Sequence, residues 1–143
     1  MTHLLLGLMI LLCCSFTVAQ AGEPGKITRA LFTTGILDGQ PVNRVLVLDD
    51  TVEKVHFFTE LQNFQGQKIT HRWEHNGQVV ARKTFQIESA RQTVSSAISI
   101  GRTQTGRWSV VIENQRGWPL RVEIFMYGGE ALASHGVVIL PLK

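Results

Sequence analysis

Cysteine is confined to Cys13 and Cys14, and both sit inside an apolar run near the N-terminus. From Gly22 to Lys143 there is none. That absence excludes disulfides, thiol catalysis, cysteine-ligated zinc and iron–sulfur clusters from this stretch. A domain without such staples rests on its hydrophobic core, and about 100–150 residues suffice to bury well over half of the unfolded surface. Charge is missing at the start: no Lys, Arg, Asp or Glu precedes Glu23. No segment shows a convincing 3.6-residue apolar period, so amphipathic helices are not expected. No glycine-rich phosphate loop is present; the glycines fall between apolar stretches, as turn residues do. The 14 Lys and Arg against 11 Asp and Glu leave a net charge of +3. These bases are scattered, which argues against nucleic acid and is mildly compatible with an anionic envelope polymer.

Leu4 to Leu12 is almost unbroken apolar sequence, prolonged by Cys13, Cys14, Phe16 and Val18 and followed by Ala19-Gln20-Ala21. An apolar core followed by small residues two apart is the pattern of a secretory leader and its cleavage site. It predicts a signal peptide over 1–21, processing after Ala21, and a single domain over 22–143 in the periplasm or outside the cell. No transmembrane span is expected after processing, since a span needs about 20 apolar residues. The leader lacks a Lys or Arg at its start, so an uncleaved N-terminal anchor is the alternative. Lipid attachment fits poorly: Cys13 follows Leu12 and Cys14 follows Cys13, where a small residue is wanted.

Nearly everything after Gly25 reads as strand. Extended stretches are expected over Lys26–Leu37, Val42–Leu48, Lys54–Leu61, Lys68–His75, Gln78–Ile87, Arg91–Ile100, Arg107–Glu113 and Pro119–Tyr127, with a last one within Gly136–Leu140. Alternation puts Val55, Phe57, Thr59 and Leu61 on one face, Val94, Ser96, Ile98 and Ile100 on another, and Trp108, Val110 and Ile112 on a third. Leu120, Val122, Ile124 and Met126 likewise share a face. Short strands with regular turns predict an all-β fold: an antiparallel β-sandwich, Ig-like, of seven to eight strands, or else a small closed barrel. Either would bury one face of each strand.

Asn76-Gly77 marks a hairpin. A two-residue loop pairs His75 with Gln78 and sets Trp73 against Val80; a three-residue loop with a bulge at Gly77 pairs Glu74 with Gln78. The second places Ile69, His71, Trp73, Val79 and Phe85 inward and Thr70, Arg72, Glu74 and Arg82 outward. Since register follows the buried pattern, that loop is the expectation.

Phe57-Phe58-Thr59-Glu60-Leu61, Gly66, Ile69 to His75, Ser95-Ser96 and Gly106-Arg107-Trp108 follow in order. Together they resemble the bacterial family known as domain of unknown function 2914, over about Lys26 to Tyr127. Gln92 follows Arg91 where the family pattern usually carries an aromatic. The resemblance implies one envelope-associated domain and assigns no activity.

His56, His71 and His75 invite a metal, but residues four apart on a strand lie about 13 Å apart, so His71 and His75 do not share an ion. His56 and His71 remain the pair for an alternative, a small envelope hydrolase or metal-dependent enzyme. His71 reads more simply as a hydrogen-bonded core or edge histidine, and His75 as an exposed turn residue. A Ser-His-Asp set from Ser95 or Ser96, His71 and Asp49 or Asp50 has no local signature behind it. Trp73 and Trp108 read as core, and Trp118, between Gly117 and Pro119, as a turn residue folded over the domain end or a ligand contact. The favoured expectation is a non-catalytic binding or accessory module of the cell envelope with no metal and no cofactor. Arg72, Glu74, Arg82 and Trp118 are its candidate contacts, and an envelope protein or anionic polymer its partner. The arginine pair suits carboxylate or phosphate, so replacing both should spare stability and lose the partner.

Overall fold

The computed structural model describes residues 22–128 and 138–140. The leader expected over 1–21 lies outside the described residues. Among them, no helix is long and apolar enough to cross a membrane.

The strands are β1 Lys26–Thr33, β2 Ile36–Leu37, β3 Gln40–Pro41, β4 Arg44–Leu48, β5 Lys54–Gln62, β6 Lys68–His75, β7 Gln78–Gln86, β8 Arg91–Ser99, β9 Gly106–Glu113, β10 Pro119–Tyr127 and β11 Val138–Leu140. The expected Lys26–Leu37 strand is cut short by side chains that compete with the ladder. Thr33 Oγ1 donates to Asn43 Oδ1, which also accepts from the Thr34 amide, and this knot turns the chain into the small β2–β3 hairpin.

The all-β expectation holds. The main sheet is continuous, in the order β7-β6-β9-β10-β4-β1-β5-β8, with β11 added on β4. It therefore curls around one core as a near-barrel instead of separating into two antiparallel sheets. Among the described residues one pairing is parallel, Met126 and Tyr127 of β10 against Val47 and Leu48 of β4. Alternation supplies the core: Val55, Phe57, Thr59 and Leu61 are buried, as are Trp73, Trp108, Val110 and Ile112. Phe32 stacks at its centre, 4.8 Å from Phe57, 4.6 Å from Phe125 and 5.8 Å from Trp73 between ring centroids.

The β6–β7 hairpin corrects its expected loop. His75 faces Gln78, and Asn76 and Gly77 form the two-residue turn, with φ of 48° and 83°. This left-handed pair gives a primed turn, whose twist matches that of the strands. The extra residue enters one step later: Glu74 pairs with Val79 and Trp73 with Ala81. Ile69, His71, Trp73, Ala81 and Phe85 consequently share the inner face, as anticipated, but Val79 does not, and it is 48 % exposed. The turn is docked on β9, where Asn76 Oδ1 accepts from the Arg107 amide at 3.0 Å.

Candidate functional site

The outer face of β7-β6-β9 carries three of the four residues singled out as contacts, Arg72, Glu74 and Arg82, and they are already engaged. Thr70, Arg72 and Glu74 lie on this face of β6, and Arg82 on that of β7. Beside them β9, which buries Trp108, Val110 and Ile112 inward, turns Ser109, Val111 and Glu113 outward. Glu113 is only 4 % exposed. Its two oxygens accept from Arg72 Nη1 at 2.6 Å and Arg82 Nη1 at 2.8 Å. Arg72 Nε also lies 3.0 Å from Glu74 Oε1, attracted by charge although its N–H does not point at the oxygen. Two cations and two anions thus pair with one another on this face. Arg72 and Arg82, expected as anion contacts, stand together in an internal ion-pair network. Alternation in β9 points Glu113 outward, but nothing local reveals that β9 lies beside β6.

The same face becomes apolar on β10. Leu120, Val122, Ile124 and Met126 are 37–49 % exposed, while Phe125 and Tyr127 of that strand fill the core. The shared face read from the sequence is therefore the outer one, while the other side of β10 carries the Arg121–Glu123 ion pair before Phe125 and Tyr127 enter the core. Val122 pairs with Val111, which is buried between β10 and the Arg72 row of β6. At 3.4 Å per residue the stripe runs about 20 Å. Trp118 stands at its foot, 65 % exposed, in a loop where its amide donates to Asn114 Oδ1. It does not fold over the domain end.

Inside the near-barrel, His71 forms a second polar cluster. Its Nε2 lies 3.0 Å from Thr59 Oγ1 and its Nδ1 2.9 Å from Ser96 Oγ, which also accepts from Trp73 Nε1 at 3.0 Å. Phe57 and Phe85 set their rings about the imidazole, each 4.9 Å from its centroid. Either tautomer satisfies both ring nitrogens with neutral hydroxyls, and burial pushes the His71 pKa down to about 3. Ser96 and His71 are in contact as a nucleophile and base would be, but this ring takes up a proton reluctantly at neutral pH. His56 is its neighbour's opposite. It alternates with the inward Phe57 and faces outward, its pKa lowered by partial burial and then by Lys54. The structure does not bring His56 and His71 together, and among the described residues no group of three His, Cys, Asp or Glu could hold a metal. His75 is half-buried and stacks on Trp108 at 4.6 Å.

His71 makes stability depend on acid. Its folded pKa lies below the ordinary 6.5, so its contribution is full above pH 6.5 and is lost as pH falls towards 3. The unfolded chain takes up a proton that the folded ring refuses. The expected slope from this residue approaches about 1.4 kcal/mol per pH unit below its ordinary pKa, with His56 adding in the same direction. Urea melts across mildly acid pH measure it: His71→Gln should flatten the dependence, and an equally steep variant would refute the neutral ring.

Residues 66–126 match the family described as "Protein of unknown function (DUF2914)". The match takes in β6, β7, β8 and β9 and all but the last residue of β10, and with them the ion-pair network and the apolar stripe. It begins after Phe57–Leu61, so it is shorter than the resemblance read from the sequence. No curated protein matches the chain.

Proposed function

With residues 66–126 as a DUF2914 segment, we propose that this protein is an exported, non-catalytic binding or accessory module of the bacterial cell envelope. Its contact surface is the outer face of β10, and its partner is another protein. The observation that carries this reading is the apolar stripe Leu120, Val122, Ile124 and Met126, exposed on a strand whose Phe125 and Tyr127 are already buried in the core. A half-solvated antiparallel sheet ordinarily alternates apolar inside and polar outside. An apolar patch with a polar, internally neutralised rim has the anatomy of a protein interface. The Glu113 network favours a protein over an anionic polymer, because it leaves Arg72 and Arg82 no charge to spend. The neutral, enclosed His71 and the outward His56 lend no support to the hydrolase or metal reading. Export rests on the N-terminal apolar run and Ala19-Gln20-Ala21.

A benzophenone side chain at position 122, expressed in the full chain, tests this reading in living cells. Irradiation should yield one discrete protein adduct in the envelope fraction, identifiable by mass spectrometry. Ile124→Lys should abolish it without moving the melting temperature. An equal yield from a probe at Gln40, exposed on the small β2–β3 hairpin, or no adduct at all, would overturn the proposal.

A further inference from the structure

The two edges of the main sheet, β7 and β8, run in the same direction. Along the order from β7 to β8 every step is antiparallel except β10 to β4. Direct pairing of β7 with β8 would make a parallel ladder, slightly the weaker kind. One strand placed between them would run antiparallel to both and close the barrel. Among the described residues, β7 pairs only with β6 and β8 only with β5.

The space between them is a cleft of about 360 Å³, with Ala81–Lys83 on one side, Ser95–Ala97 on the other and Trp73 in its lining. The β8 wall is made of small side chains. Three of the apolar side chains only partly buried against the core, Ala81, Phe85 and Ile98, lie on these two strands. Lys83 stands opposite His71, on the core-facing side of β7, yet it is exposed. Among the described residues it makes no ion pair. An inward-pointing charge on an edge strand discourages indiscriminate pairing. The same charge admits a strand with an acid at that level.

We infer that the β7–β8 seam binds an extended peptide segment of another protein. The segment adds as a strand antiparallel to both edges, with apolar side chains over Ala81, Phe85 and Ile98 and a carboxylate at Lys83. Main-chain bonds to both edges supply affinity and the alternate side chains supply selectivity. This site is separate from the outer face of β10, and either can fail without the other.

The test uses the full chain and synthetic peptides of about nine residues, the length of β7 and β8. They alternate valine and threonine and carry either glutamate or lysine at the centre. A third copies the glutamate peptide with alternate amides N-methylated. The glutamate peptide should slow amide exchange by about tenfold or more on β7 and β8 together, leaving β10 unchanged. The N-methylated copy should do nothing. Lys83→Glu should reverse the preference between acidic and basic peptides, by about tenfold. Protection on one strand alone, an unchanged preference in Lys83→Glu, or seam amides already protected before any peptide is added would each overturn the inference. The last outcome would mean that the chain itself or a second copy fills the seam.

Discussion

Trp73→Ala should lower the unfolding free energy by about 3–5 kcal/mol, the range for deleting a large buried aromatic. Trp73 is 1 % exposed and packs on Phe32 and Phe57. Alanine would leave a void beneath the β7–β8 cleft. It would also remove the N–H that Ser96 Oγ accepts, loosening the hydroxyl that partners His71. Trp73→Phe separates the two effects: it keeps most of the volume, and its cost should be dominated by the lost hydrogen bond, about 1–2 kcal/mol. Urea titration of both variants measures this. A midpoint for Trp73→Ala close to wild type would show that the side chain does not hold the core.

The second large effect reverses the expectation from sequence. Arg72→Ala combined with Arg82→Ala should destabilise the fold by about 3–5 kcal/mol, because it strands a buried carboxylate. Glu113 receives one guanidinium on each oxygen, and nothing else is shown to bond those oxygens. Adding Glu113→Gln to the double variant removes the stranded charge and should restore much of the loss. Thermal and chemical melts at neutral pH decide the matter. If the double variant melts like wild type, Glu113 is reaching water and the network is ornamental. If the triple variant is no better than the double, the arginine stems, not the charges, were providing the stability by covering Val111.

The arginine effect shows where sequence reasoning stops. That Arg72 and Arg82 share an outer face follows from alternation and from a hairpin spanning a few residues. That their counter-charge is Glu113, 41 and 31 positions along the chain, follows only from β9 lying against β6. The hairpin repeats the lesson at short range. The hydrophobic pattern chose the inner face of β6 and most of that of β7. It could not place the bulge at Val79 and Val80, because both residues are apolar and either suits either face.

The sequence by itself determined most of the strand positions, the placing of a turn at Asn76-Gly77, and the shared faces of Val55, Phe57, Thr59 and Leu61 and of Trp108, Val110 and Ile112. Period-two alternation and left-handed turn preferences are properties of a few consecutive residues, so they are legible locally. Only the tertiary structure decided that Thr59, His71, Ser96 and Trp73 meet, although they come from β5, β6 and β8. Only it decided that the apolar face of β10 looks outward. Which face of a strand is buried depends on what the sheet curls around. That curl is set by pairings between segments far apart in the chain, whose energies no local window contains.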